Sequence, residues 1–362
     1  MFSKKDTEQI PEYISHYKIL CRLGQGGMGD IYKAIQDPLN RVVALKVLPP
    51  RFGRDEEFAK RFKIEADAIA RLQHQNIVSL YEYGEENGFR YFAMQFVDGR
   101  DLSRHIAERR DMPVEEIIDF SKQICRGLRY AHANNVVHRD IKPQNILIDK
   151  SDVVKLSDFG IAKIFSGSDI TMTGFTLGTP EYMSPEQALG KNIDHQTDLY
   201  SLGIVMYEML TRKPPFTAND PMAIAYKQVH ELPAPPSSKR KETPKRLELM
   251  ILKALKKNKE ERYRSVEEML DHLDSVDPKE LAGSPTASLR VVRGSADGEA
   301  AEDAEKKASD RRIVDRRQST GMGPAFGDRR YWRELARTQW ISWLLLAGLG
   351  ALFLLHLLRY HR

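Results

Sequence analysis

Residues 136–160 read VVHRDIKPQNILIDKSDVVKLSDFG and constrain this chain more than any other stretch. Two short apolar runs, NILI and VVKLS, flank a polar turn and read as a strand pair. Asp140, Lys142 and Asn145 precede that pair within one loop, and Asp158 follows it. A carboxylate at Asp140 suits accepting or orienting a hydroxyl proton. Asn145 and Asp158 are oxygen donors of the kind Mg2+ takes alongside phosphate oxygens. Lys142 supplies a point charge for a phosphoryl group. Positioning and charge neutralisation are what phosphoryl transfer chiefly asks of a protein. The bland alternative is a polar surface loop beside a hairpin, and the length of the string disfavours it.

Hydrophobic residues at 41% and charged residues at 30% fit a globular protein and exclude wholesale disorder. The only cysteines, Cys21 and Cys125, are too far apart for metal-ligand spacing, which excludes a disulfide framework or a zinc site. The N-terminal MFSKKDTEQIPEYI has no apolar run and does not read as a signal peptide. The net charge of +5 is concentrated in residues 311–337, with eight arginines against three acids. The remainder is close to neutral, and no nucleic-acid partner is expected.

From Tyr17, YKILCRLGQGGMGDIYKAI reads as two strands joined by a turn, with Gly24, Gly26 and Gly29 as G-x-G-x-x-G. Glycines let a backbone approach phosphates and offer N–H groups to them. A dinucleotide-binding fold would start a helix directly after them, whereas DIYKAI reads as a strand. VVALKVL then carries Lys46 inside an apolar strand, a place usually taken by a snorkelling surface lysine. DEEFAKRFKIEADAIARLQH reads as a helix with Phe58, Phe62, Ile69 and Leu72 on one face and Glu65 among them. A carboxylate in such a stripe is costly unless paired, so a Lys46–Glu65 ion pair is expected. Pro113 opens a long helix whose Ile117, Phe120, Ile124, Leu128 and Ala131 form a core face, and HQTDLYSLGIVMYEMLT supplies an apolar helix starting near Asp198.

H-R-D-x-K-x-x-N followed by D-F-G, with the glycine turn and the lysine strand upstream, resembles the bacterial eukaryotic-like (Hanks-type) serine/threonine protein kinases. The lysine two residues after Asp140 resembles the serine/threonine branch. The resemblance runs from Tyr17 to Leu273 and implies an α+β, two-lobed fold with ATP between the lobes. The domain expected is 17–275, with a small β-rich N-lobe (17–97) and a large helical C-lobe (98–275), after a lead-in over 1–16. The resemblance gives catalytic roles to Asp140, Lys142, Asn145, Lys46 and Glu65, and Mg2+ (Mn2+ as the alternative ion) to Asn145 and Asp158. Nucleotide contacts are implied for Leu23, Gly24, Gln25, Gly26, Gly27, Met28, Gly29, Asp30 and Ile31 in the glycine loop, and for Ala44 and Lys46. They are also implied for Met94 as gatekeeper, the backbone of Gln95 and Val97, Asp101 toward the ribose, Leu147 and Asp158.

Beyond Gly160 the chain resembles an activation segment, ending in SPE at 184–186 where many kinases have APE. Thr171, Thr173 and Thr176 are its phosphosite candidates, with Arg139 and Lys163 to match the phosphate. GTPEYMSPE resembles a peptide-docking platform, in which Thr179 would contact the catalytic aspartate. Asp198 is expected to hold the catalytic loop by backbone hydrogen bonds, and Arg262 to pair with Glu186. A catalytically inactive pseudokinase scaffold is the rival reading. Such proteins usually lack one of the lysine, catalytic-loop or D-F-G residues, and none is missing here. A small-molecule phosphotransferase is disfavoured by the long segment before SPE.

Residues 276–339 are small, polar and charged and read as a disordered linker. Residues 340–358, WISWLLLAGLGALFLLHLL, carry no formal charge. As a helix they would reach about 28 Å, close to the thickness of a bilayer's hydrocarbon core. Trp332, Trp340 and Trp343 near one end and Tyr360 near the other suit the interfaces. The expectation is a single-pass plasma-membrane protein with its kinase domain cytoplasmic and a short tail, 359–362, across the membrane. Ala347 and Ala351 make a small-xxx-small face suited to a homodimer.

Overall fold

The computed structural model describes residues 11–26, 29–48, 56–86, 89–159 and 179–278. Gly27, Met28, Lys163, the three candidate phosphosites and the expected membrane segment lie outside them. Among the described residues no helix is long and apolar enough to cross a membrane.

The N-terminal half is built on an antiparallel sheet in the order β1-β2-β3-β4-β6-β5. Its strands are β1 (Tyr13–Ile14), β2 (Tyr17–Gly26), β3 (Gly29–Gln36), β4 (Arg41–Val47), β5 (Leu80–Glu86) and β6 (Phe89–Gln95). The sheet begins four residues before Tyr17, because Tyr13 pairs with Lys18 and Ile14 is buried at the sheet's edge. Strand alternation sorts the side chains. Val43, Leu45 and Val47 join Tyr32, Ala34, Tyr91 and Ala93 in one buried cluster. In register with one another, Ile31, Lys46, Ala44 and Met94 are left to the other face. Helix α1 (Glu56–Ala70) contributes Ala66 and Ile69 to the main core, where Leu72, Leu80 and Phe92 also lie.

The C-terminal half is mostly helical. After β7 (Gly99–Asp101) come α2 (Leu102–Glu108), α3 (Val114–Ala133), the hairpin β8 (Ile146–Asp149) and β9 (Val154–Leu156), then α4 (Pro185–Ala188), α5 (Gln196–Thr211), α6 (Pro221–His230), α7 (Lys245–Ala254) and α8 (Val266–Asp274). The apolar stripe expected on α3 is buried throughout. Helix α5 is buried on nearly every side, as a helix with apolar residues all round must be. Its few polar side chains therefore have inward tasks. The two halves are stitched where Val78 N–H donates to Leu156 O and Leu156 N–H donates to Asn76 O, both 2.9 Å. The α+β two-lobed layout is thus present, and the stitch lies two residues from Asp158.

Gly99 marks where the chain passes between the halves. A Cβ there would stand 1.9 Å from Ile148 O and 2.9 Å from Asp149 Cα. Because the clash is with backbone, Gly99→Ala must open the β7–β8 pairing. A loss of roughly 1–3 kcal/mol is expected, read as a lower urea midpoint with unchanged slope.

Candidate active site

Helix α3 ends at Ala133, and the chain re-enters the core at Val136. The loop that follows contains a strained residue, since Arg139 has φ 68°. Asp198 of α5 holds it there. Its carboxylate accepts from His138 N (2.9 Å) and Arg139 N (2.8 Å), and from His132 Nε2 (2.8 Å). Asp198 is fully buried, and burial alone would push its carboxyl up. The hydrogen bond and charge of His132, with His138 behind, hold it below the usual carboxylate range instead. The expected backbone bonds from Asp198 are present, and His132 is an addition that spacing did not reveal.

His138 locks the other side of the loop. Its Nε2 lies 2.9 Å from Ser157 O, so that nitrogen carries the proton, and Nδ1 accepts from Asp140 N at 3.3 Å. Burial pushes this imidazole below the usual histidine range, against the pull of Asp198 and Asp140. Ser157 N–H donates to Asn145 O at 2.9 Å, which ties the residue before Asp158 to the loop.

This framework gathers the reactive side chains. Asp140 Oδ2 accepts from Lys142 Nζ at 2.8 Å and from Asn145 Nδ2 at 2.9 Å. Asn145 sits in a single 3-10 turn, Pro143–Asn145, and also donates to Asp140 O at 2.8 Å. With both amide hydrogens so used, its oxygen is the atom left for a ligand. Asp158 has φ 62°. Its Oδ1 accepts from Lys46 Nζ at 2.8 Å, and Lys46 is 5% exposed. Burial would raise the Asp158 carboxyl, but the charge and hydrogen bond of Lys46, then His138 and Lys142, hold it low.

Lys46 takes a carboxylate partner that the helix stripe does not supply, Asp158. Glu65 lies half-buried on α1, beside the core residue Ala66. The helix stripe placed Glu65 rightly on the inward side, but the left-handed backbone at Asp158 delivers a carboxylate from 112 residues away.

The glycine turn is a hairpin, with Gly24 opposite Ile31, Gln25 opposite Asp30 and Gly26 opposite Gly29. Gly29 has φ +123°, and a Cβ on it would meet Val47 O at 2.2 Å, so no other residue fits. Leu23 is half-exposed on the same strand. Ile31, Ala44 and Met94 share the Lys46 face of the sheet. Gln95 N–H is taken by Ser79 O, and Val97 follows two residues on. Leu147 pairs with Asp101, and Asp101 also caps α2 by accepting from Arg104 N at 2.9 Å.

The donor set fits a hard cation. One amide oxygen (Asn145) and one depressed carboxylate (Asp158) leave a magnesium ion's other positions to phosphate and water, its usual preference. A soft-metal site is not indicated, since among the described residues no cluster of three or more His, Cys, Asp or Glu could hold an ion.

The described part of the peptide-docking candidate, Thr179–Glu186, is tied to this loop by the residue that follows it. Gln187 Nε2 donates to Arg139 O at 2.8 Å, and a Ser184–Gln187 capping box starts α4. The expected Glu186–Arg262 pair is formed and bidentate, at 2.8 and 2.9 Å.

A β-rich lobe over a helical one, with a lysine, two aspartates and an asparagine converging between them, defines a protein kinase fold. The chain belongs to that family, its residues 17–273 matching the protein kinase domain model. It is 44% identical over 262 residues to a probable serine/threonine-protein kinase of Clostridium acetobutylicum, covering 72% of this chain and 40% of that one. To the serine/threonine-protein kinase PknB of Mycobacterium tuberculosis it is 39% identical over 292 residues, covering 79% of this chain and 47% of that one. The crystal structure of the Mycobacterium tuberculosis PknI kinase domain matches with TM-score 0.59 and 28% identity, over 72% of this chain and 96% of that one. The chain thus matches less than half the length of these two full-length relatives.

Proposed function

We propose that this chain is an ATP-dependent serine/threonine protein kinase, held at the cytoplasmic face of the plasma membrane by residues 340–358. The observation that carries the reading is the Asp140 carboxylate, flanked by Lys142 and Asn145 at 2.8 and 2.9 Å and joined to Asp158 through Ser157. In this reading Asp140 orients the acceptor hydroxyl and takes its proton. Lys142 offsets charge on the phosphoryl group in flight, while Lys46 and the glycine hairpin hold ATP. Ile31, Ala44, Met94 and Leu147 enclose the adenine, Gln95 and Val97 meet its edge, and Asp101 faces the ribose. Asn145 and Asp158 hold Mg2+, which when bound neutralises phosphate oxygens. Glu65 supports the lysine from α1. Activation by phosphate at Thr171, Thr173 or Thr176, answered by Arg139, completes the proposal.

The test uses the full-length chain in detergent with MgATP labelled in the γ-phosphate. Label on serine or threonine of the chain itself or of added protein is expected, with sites mapping to the three threonines. Absence of transfer to any polypeptide would leave a scaffold, and transfer to small molecules alone would redefine the acceptor. Chain ending at residue 339 should leave the membrane fraction, and its retention there would remove the anchor.

A further inference from the structure

Lys257, just past α7, is a half-buried cation whose described hydrogen-bond partners are all uncharged. Its Nζ donates to Gln228 O at 2.8 Å, Tyr200 Oη at 3.0 Å and Lys227 O at 3.4 Å, with the Phe216 ring face at 4.1 Å. Two of these acceptors are carbonyls in the last turn of α6, so the ammonium caps that helix, and its third contact leads further in. The partners lead to the docking strap. Tyr200 and Gln228 are fully buried, and the Tyr200 hydroxyl donates to Gln228 Oε1 at 2.7 Å. That bond turns the amide so that Nε2 donates to Glu181 O at 2.7 Å and Pro180 O at 3.2 Å.

We propose that Lys257 is a positioning residue for the protein substrate: through Tyr200 and Gln228 it fixes the Thr179–Met183 strap against which the acceptor peptide lies. The inference rests on the kinase reading above. A neutral amine at 257 would have two N–H groups for these three acceptors and would lose the charge assistance that strengthens the contacts. The groups facing Lys257 are Tyr200 on α5, Glu231 after α6 and Arg262 before α8, with Glu186 of α4 behind Arg262. Burial above all, then the Arg262 charge, brings the ammonium down to about 8, with Glu231 opposing. The clamp is therefore charged below that pH and neutral above it.

The experiment measures phosphate transfer by the full-length chain to an acetylated, amidated peptide of residues 167–178, GSDITMTGFTLG. Its only ionisable side chain is an aspartate, so the peptide itself does not titrate from about pH 7 to about pH 9.5. Lys257→Met should raise KM for the peptide roughly tenfold and leave KM for ATP within about twofold. Its thermal midpoint should fall only modestly, because the last-turn carbonyls of α6 lose a donor, and the split between the two Michaelis constants separates positioning from that loss. The parent's peptide KM should climb as pH passes about 8. The methionine variant should stay uniformly weak, and Lys257→Arg should stay tight throughout, since arginine keeps its charge. Tyr200→Phe, which removes the hydroxyl linking Lys257 to Gln228 and keeps the ammonium, should reproduce the peptide defect. An unchanged peptide KM in either Lys257→Met or Tyr200→Phe overturns the inference, as does an equal rise in both Michaelis constants. If the parent chain labels neither this peptide nor any other polypeptide, the kinase reading fails and takes the inference with it.

Discussion

Asp140→Asn yields a chain that folds and binds MgATP like the parent but transfers phosphate roughly 10²–10⁴-fold more slowly. The shape change is minimal, since an amide oxygen at 140 can still accept from Lys142 Nζ and Asn145 Nδ2. What disappears is the basic oxygen proposed to orient and accept the proton of the acceptor hydroxyl. The backbone frame of Asp198, His138 and Gln187 is untouched by the change. Nucleotide affinity by calorimetry, thermal midpoint and single-turnover rate separate these contributions, and a parent-like rate would remove Asp140 from the chemistry. Lys46→Met also silences transfer but is less clean. It strips the half-buried Asp158 carboxylate of the cation that chiefly holds it low, so in the proposed mechanism nucleotide and metal binding would fail together.

What the sequence made legible follows from how local each signal is. The α3 stripe, the glycine hairpin and the Asp140–Asn145 loop are short-range patterns, and each took the form expected. The Glu186–Arg262 pair spans 76 residues and was reached only through the family resemblance. Lys46 shows the limit of periodicity. The helix pattern identified Glu65 as an inward carboxylate but carried no information on Asp158, whose placement depends on a left-handed backbone at the end of β9. His132 and Gln187 were missed for the same reason, since their partners, Asp198 and Arg139 O, come from distant elements. Nothing in the run KALKKNKEERYRS sets Lys257 apart from the lysines around it. Only the packing of α5, the end of α6 and Phe216 around it makes the ammonium half-buried.

Arg262→Met should be the most destabilising single change in the C-lobe. The guanidinium is fully covered and gives both Glu186 oxygens a hydrogen bond, while Nε donates to Lys256 O at 2.7 Å. Burial alone would push the Glu186 carboxyl up, but Arg262, helped by Thr197, holds it below the usual range. Removing the cation leaves a buried carboxylate without its charge partner, a loss of roughly 3–5 kcal/mol, or about 6–20 °C in thermal midpoint for a domain of this size. The sign with pH follows from the depressed carboxyl. Its stabilisation is present above the unfolded carboxylate value and is lost as pH falls through the lower folded value. The parent should therefore lose stability steeply in acid. In Arg262→Met the unpaired carboxylate gains from protonation, so its deficit against the parent should shrink as pH drops. The double variant Arg262→Met with Glu186→Leu should recover much of the midpoint, because no buried charge remains. Recovered stability without recovered transfer would locate the pair's function in holding α4 and the Gln187–Arg139 contact, whereas a neutral single variant would mean the pair carries no stability at all.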